Sequence, residues 1–194
     1  MRRGLALLRF GGGAPIDWLI VGLGNPGREY AQTPHNVGFM VAQELSERWE
    51  LGRAKTRFRG LLSEGRAGAA GPRVALLLPQ TYMNEAGRSV GPARGSYKLA
   101  LERVVVVHDE IDLPFGEVRA RLGGGLAGHN GLKSLKRELG GTDFWRVRLG
   151  VGRPDSTDPE IVAAHVLGRF RQGPQEVRDL VEHGCAEVER LVQG

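Results

Sequence analysis

Three polar side chains of this chain come after separate apolar runs, at points where strands are expected to end. They are Asn25, Asn84 and Asp109. In open α/β sheets, ligands bind in the crevice outside the carboxyl ends of the strands. We therefore expect these side chains to converge from distant parts of the chain. A single asparagine in a turn also has a structural explanation, because it tolerates left-handed backbone conformations.

His35 is the candidate for acid–base chemistry. It follows Thr33 and Pro34, a capping residue and a first-turn proline typical of a helix start. The helix dipole there disfavours imidazolium, so the pattern predicts a neutral ring that can accept a proton from water. If Asp109 approaches the other ring nitrogen, it would fix the tautomer and stabilise the developing charge. The alternative is a helix-capping or surface histidine.

The chain offers no obvious nucleophile. The single cysteine, Cys185, falls on an apolar helical stripe typical of a core position. The consistent reaction is direct attack by an activated water.

A glycine-rich segment, LGGGLAGHNG at 122–131, could approach a ligand closely and move. His129 and Asn130 then begin a helix with three basic residues on one face, namely Lys133, Lys136 and Arg137. Arg121 lies on the strand candidate before this helix, and Arg148 lies on another strand candidate. This arrangement favours phosphate contacts, although solvated basic faces would give the same pattern.

The net charge of the chain also allows two interpretations. Lys and Arg number 27 against 22 Asp and Glu, which gives +5 and a pI near 9.9. A basic protein attracts polyanions such as nucleic acid. However, nearly all of the basic residues are arginine, which can reflect genome composition or growth temperature instead.

The elements that must position these residues alternate between strands and helices. The sequence predicts strands at 18–23, 73–78, 103–108 and 144–151, with weaker ones at 61–64 and 118–122. It predicts helices from Pro34 onward, at 86–99 with an interruption near Pro92, at 130–139, and from Pro174 onward. This order predicts a single α/β domain with a mostly parallel, mixed, twisted sheet and helices on both faces.

Length and composition set the boundaries of that domain. The chain has 194 residues, which suits one domain, and we assign it to 16–194 with 1–15 as a flexible extension. One cysteine excludes an intramolecular disulfide and a multi-cysteine metal site. No apolar stretch approaches the length of about 20 residues that a membrane span needs.

GLGNPG at 22–27 matches the dinucleotide-binding pattern G-x-G-x-x-G. That pattern requires a helix to open directly at the glycines, and here the helix signal begins only near Thr33. Glu44, at the spacing of a ribose-binding acid, falls inside that helix. A nicotinamide oxidoreductase is therefore disfavoured.

The sequence resembles the bacterial-type peptidyl-tRNA hydrolases. The matching blocks, in family order, are VGLGNPG at 21–27, TPHN at 33–36, TYMN at 81–84, HDEIDLP at 108–114, LGGG at 122–125, GHNGLK at 128–133, RLGVG at 148–152 and VLG at 166–168. Each block alone is weak, and the ordered set is highly specific.

The resemblance implies a cytoplasmic, monomeric enzyme without metal, cofactor, membrane association or obligate protein partner. It would hydrolyse the ester between peptide and tRNA with a water activated by a histidine, and so recycle tRNA released from stalled ribosomes. By this likeness His35 is the general base, Asp109 orients it, and Asn25 distinguishes blocked from free aminoacyl groups. The implied substrate and tRNA contacts are Tyr30, Tyr82, Met83, Asn84, His129, Asn130, Arg121, Lys133 and Arg148.

The sequence also departs from the family pattern. Leu126-Ala127 replaces a frequent His-Gly in the glycine segment, Pro34 replaces a frequent arginine, and the chain stops short of a basic last helix. A non-enzymatic RNA-binding relative, of the kind represented by a plant organellar splicing factor, remains the alternative. The filled catalytic positions favour the enzyme.

Overall fold

The computed structural model describes residues 14–194. Its strands are β1 (Trp18–Gly22), β2 (Lys55–Arg57), β3 (Gly60–Arg66), β4 (Arg73–Pro79), β5 (Val104–Glu110), β6 (Val118–Leu122) and β7 (Trp145–Gly150). Its α-helices are α1 (Val37–Arg48), α2 (Gly87–Tyr97), α3 (Asn130–Leu139), α4 (Pro159–Leu167) and α5 (Pro174–Gln193). The predicted extension at 1–15 falls almost entirely outside the described residues. Within them, no helix is both long enough and apolar enough to cross a bilayer.

The strands form one mixed sheet in the order β2-β3-β4-β1-β5-β7-β6. The four central strands, β4, β1, β5 and β7, are parallel to one another, and the strands beyond them pair in the antiparallel sense. The predicted fold class is confirmed. Parallel central strands put their carboxyl ends at one edge of the sheet, where the polar residues follow.

Helices cover both faces of the sheet, and each face has its own apolar layer. One layer joins β-strand residues to α1 and α5 and includes Leu45, Leu180 and Cys185. The other joins the opposite face to α2 and α3 and includes Val90 and Leu135. Val104–Val107 are all fully buried between the two layers, as expected for a strand covered on both faces. Burial raises the pKa of the Cys185 thiol to about 12, which agrees with a core position.

The start of α1 lies directly against the ends of β1 and β5. A Cβ atom on Gly38 would collide with the carbonyl oxygen of Val107 and would come within 2.6 Å of the backbone nitrogen of Leu23. Only glycine permits this approach. The close packing brings the turn that precedes α1, including His35, to the carboxyl edge of the sheet.

The structure differs from the sequence predictions at several elements. β5 continues through Glu110, so Asp109 lies within the strand rather than after it. The first helix begins with a 3₁₀ turn, Pro34–Asn36, and the Thr33 hydroxyl donates to the carbonyl oxygen of Tyr30 instead of capping it. α2 is continuous through Pro92, which lies in the middle of the helix on the exposed side. The sequence predictions did not include the short edge strand β2 or the helix α4.

Candidate active site

A cleft of about 440 Å³ lies at the carboxyl edge of the sheet. Its wall on the sheet side includes His35, Asp109 and His129, and Lys133 extends that wall along α3. Apolar side chains of α4, such as Val162, form the opposite wall. The cleft thus combines ionisable groups with an apolar surface, as small-molecule and substrate sites commonly do.

Nδ1 of His35 is hydrogen-bonded to the carboxylate group of Asp109 on the sheet side of this cleft. Nδ1 of His35 lies 2.9 Å from Oδ1 and 3.0 Å from Oδ2 of Asp109. The carboxylate is an acceptor, so Nδ1 carries the proton and the lone pair of the neutral ring is on Nε2. The His35 side chain is 12% exposed and that of Asp109 only 2%. The contact predicted from sequence is therefore present, although 74 residues separate the partners.

The direction of the His35 pKa shift differs from the sequence expectation. Burial lowers the pKa of His35, but the charge and hydrogen bond of Asp109 outweigh it and raise the pKa above the ordinary 6.5. Burial acts to raise the pKa of Asp109, yet His35 and His129 together lower it well below the usual range. The charge and the hydrogen bond of the Asp109 carboxylate together therefore set the direction of the His35 pKa shift.

His129 makes a second hydrogen bond to the same carboxylate. Its Nε2 lies 2.9 Å from Oδ1 of Asp109. Its Nδ1 accepts the N–H groups of Gly131 at 3.1 Å and Leu132 at 3.4 Å, which caps the start of α3. Nδ1 must therefore be unprotonated, and Nε2–H donates to Asp109. The sequence suggested His129 only as a substrate contact, and its place before a helix start was the signal for this capping role.

Asn25 is held from two sides in the loop after β1. Its backbone N–H donates to Oδ1 of Asn36, and Nδ2 of Asn36 donates to its carbonyl oxygen, both at 2.9 Å. Its side-chain Oδ1 accepts the N–H of Met83 at 2.7 Å. Because Oδ1 is engaged, the NH₂ group of Asn25 is the end available to a ligand. The sequence matched Asn36 to the family but assigned it no role.

A buried histidine and a buried glutamate complete the site. His108 is fully buried and donates from Nδ1 to the carbonyl oxygen of Asp109 at 2.7 Å, and residues 14–194 offer no partner for its Nε2. Burial lowers its pKa to about 3, so it is neutral. Glu110, which is 4% exposed, accepts Nε of Arg148 at 3.1 Å and the N–H of Asp112.

His35, Asp109 and His129 are also the one group in residues 14–194 whose ligand atoms lie close enough together to hold a metal ion, within 4.8 Å of one another. We call these three residues the triad. Within it, His35 Nδ1 and His129 Nε2 are both hydrogen-bonded to Asp109 Oδ1. A cation would have to displace at least one of those protons.

Comparison with known proteins identifies the family. The family model for peptidyl-tRNA hydrolase matches residues 19–194. The chain belongs to the peptidyl-tRNA hydrolase family. It is 48% identical over 176 residues to the peptidyl-tRNA hydrolase of Syntrophotalea carbinolica, covering 90% of each chain. It is 49% identical over 154 residues to that of Geobacillus kaustophilus, covering 79% of this chain and 81% of the relative.

A solved structure shows the same fold. The crystal structure of peptidyl-tRNA hydrolase from Acinetobacter baumannii aligns with a TM-score of 0.82 and 40% identity, covering 94% of this chain and 92% of that one. The G-x-G-x-x-G segment fits this family rather than a dinucleotide site, because α1 begins only at Val37 and contains Glu44.

The substrate contacts inferred from the peptidyl-tRNA hydrolase resemblance lie at different depths. Met83 is buried, and a Cβ on Gly131 would come within 2.6 Å of its sulfur, so it packs against the start of α3. Asn130 lines the cleft. Asn84 is exposed, and its carbonyl oxygen lies 3.5 Å from Nη2 of Arg137. Tyr82 is 61% exposed and Tyr30 is half-buried. Their roles remain predictions.

The predicted tRNA contacts of this peptidyl-tRNA hydrolase family member differ in their surroundings, and Arg121 lies beside Gly124 of the glycine segment. Arg121 and Lys133 are exposed. The Arg148 side chain is 20% exposed and forms an ion pair with Glu110 through Nε. That contact uses Nε and leaves the two terminal nitrogens of Arg148 for other partners. Arg148 can therefore be anchored by Glu110 and still bind a ligand.

Proposed function

We propose that this chain hydrolyses the ester bond between the peptide and the 3′ ribose of peptidyl-tRNA. The observation that carries the proposal is the hydrogen bond of His35 Nδ1 to Asp109, which leaves Nε2 as a base at the cleft. Family membership supports the substrate, since the relatives are peptidyl-tRNA hydrolases.

In this mechanism Nε2 of His35 takes a proton from water as the water oxygen attacks the ester carbonyl. Asp109 holds the ring in the required tautomer and stabilises imidazolium. The NH₂ group of Asn25, oriented by Met83, donates to a substrate oxygen near the reacting carbon. Collapse of the tetrahedral intermediate breaks the ester C–O bond, and the imidazolium returns its proton to the departing ribose oxygen.

The basic residues supply the contacts to tRNA. Lys133 on α3 and Arg121 and Arg148 at the sheet edge would bind phosphates, which position the acceptor end without reading bases. Recycling of tRNA dropped by stalled ribosomes is the role that such an activity would serve. Action as a cytoplasmic monomer without a cofactor is part of the same proposal.

The test is single-turnover release of labelled peptide from purified peptidyl-tRNA. We expect His35→Ala to lower the rate by about 10²–10⁴-fold, the usual effect of losing a general base, while tRNA binding survives. His183→Ala, an exposed histidine of α5, is the matched control and should keep the wild-type rate. Near-normal turnover by His35→Ala would remove His35 as the base. Tight binding without release by the wild type would favour the RNA-binding alternative.

A further inference from the structure

Arg146 is a buried cation at an unusual place in the sheet. It is 3% exposed, lies on β7 and stands opposite Arg121 of β6. Arg148 and Arg119 form the next pair of the same register and share its face. Like charges directly opposite one another are destabilising, and a buried charge without a counterion is costly. Within residues 14–194 no carboxylate lies within ion-pair distance of Arg146.

The partners of Arg146 are backbone carbonyl groups of the glycine segment. Its Nη1 donates to the carbonyl oxygen of Gly125 at 2.5 Å, and its Nη2 donates to that of Gly123. Between them Gly124 has φ +97°, and a Cβ there would lie 2.6 Å from Nη2. Glycine at 124 therefore lets the chain wrap around the guanidinium. Burial, and then the charges of Arg148 and Arg121, lower the pKa of Arg146.

The wrapped segment leads directly to His129. The N–H of His129 donates to the carbonyl oxygen of Leu126 at 2.9 Å, so the position of residues 123–125 sets where the imidazole enters the cleft. Between them Ala127 has φ +46°, a left-handed conformation that alanine adopts only when its surroundings hold it there. The hydrogen bonds from Arg146 to Gly123 and Gly125 restrain the segment that precedes Ala127.

The strand paired with β7 carries Asp109, the other partner of the hydrogen bond to His129. β7 pairs with β5 so that Leu149 stands opposite Asp109. Arg146 thus fixes the segment that brings His129 to the sheet that carries Asp109. The paired strands β5 and β7 therefore hold both partners of the His129–Asp109 hydrogen bond: Asp109 lies on β5, and Arg146 of β7 binds the segment before His129.

We infer that Arg146 is a positioning residue for the triad: it binds the glycine segment to β7 and thereby holds His129 against Asp109. This rests on the proposed hydrolysis for its effect on rate, but the geometry it predicts exists without substrate. An arginine is required because its planar fork reaches two carbonyl oxygens at once.

Amide hydrogen exchange and single-turnover kinetics test the inference together. In Arg146→Gln, exchange should accelerate at His129, Gly131 and Leu132, whose amides report the segment and the cap, and not at Val106 in the central strand. The rate constant at saturating substrate should fall by about 10–100-fold, the scale of a misplaced catalytic group. Arg146→Lys, which keeps the charge without the fork, should recover only part of both effects.

Arg119→Gln is the matched control, because it removes a like charge from the same face and touches Glu117 rather than the glycine segment. It should leave exchange at the three amides and the saturated rate unchanged. If Arg146→Gln lowers only the melting temperature, with wild-type exchange and rate, Arg146 belongs to the scaffold and the inference fails. If Arg146→Gln does not fold, Arg146→Lys decides by the same two readouts. If Arg146→Gln alters the exchange and the wild type releases no peptide, the proposed function is wrong and the inference about Arg146 is retained.

Discussion

Asn36 and Asn25 hold each other through two hydrogen bonds of 2.9 Å that join the turn before α1 to the loop after β1. The side-chain amide of Asn36 pairs with the backbone N–H and C=O of Asn25 in the way a neighbouring strand would. Asn36 is 2% exposed, and it follows His35 directly. The proposed base and the proposed substrate-binding amide therefore share one rigid connection.

Replacing Asn36 by alanine should weaken both stability and activity. Two buried backbone groups of Asn25 would lose their partners, which costs about 1–3 kcal/mol for each group. We expect the free energy of unfolding in urea to fall by that amount and kcat/KM for peptidyl-tRNA to fall with it. Asn84→Ala, at an exposed position, should leave stability unchanged. Wild-type stability in Asn36→Ala would show that the pairing contributes nothing.

Asp109→Asn should shift the pH dependence of hydrolysis. Asp109 raises the pKa of His35, so its neutral replacement lowers that pKa. The base works only when unprotonated, and the rise of kcat/KM with pH should therefore move to lower pH. The maximal rate should fall, but by less than in His35→Ala, because the amide can still contact the ring. Asp112→Asn, an exposed carboxylate paired with Arg153, should keep the wild-type profile. An unmoved profile in Asp109→Asn would separate Asp109 from the base.

Replacing Arg121 and Arg148 by alanine should weaken tRNA binding and spare short ester substrates. Binding through phosphates releases counterions, so the affinity of the wild type should fall steeply with salt. Each lost contact should reduce the slope of log affinity against log salt by about 0.7–0.9. Arg178→Ala, on the surface of α5 beside Gln175, is the control and should keep the slope. Equal losses on both substrates, with a lower melting temperature, would assign the two arginines to the scaffold.

His108 should make the fold sensitive to acid. Its pKa is about 3 when folded and near 6.5 when unfolded, so the unfolded chain binds more protons between these values. Stability should therefore rise with pH across that window, by up to about 1.4 kcal/mol per pH unit from this group. Urea unfolding at pH 4 to 7 measures it. His108→Gln should flatten the dependence and His183→Gln should not. Equal slopes in all three proteins would contradict the assignment.

The sequence by itself determined the α/β class and the place of the chemistry. Apolar runs of strand length alternate with helical periodicity, and the polar residues stand where runs end. Parallel strands bring such ends to one edge, which is why Asp109 could be expected there. Its contact with His35 was a conditional expectation from the residues, and the peptidyl-tRNA hydrolase resemblance implied it. The family followed from motifs in a fixed order. These features depend on local pattern and on a topological rule, and both can be read along the chain.

Only the tertiary structure decided how the side chains share their partners. Asp109 accepts from His129 as well as His35, Arg148 is anchored by Glu110, and the bonds of Arg146 go to carbonyl groups of a loop. The residues of these contacts are 20, 38 and 21 positions apart. The periodicity of the sequence does not predict these contacts. A hydrogen bond depends on differences of a few tenths of an ångström, and packing sets the spacing between the elements that carry the two partners. Burial similarly lowers the pKa of His108, and the contact with Asp109 raises the pKa of His35.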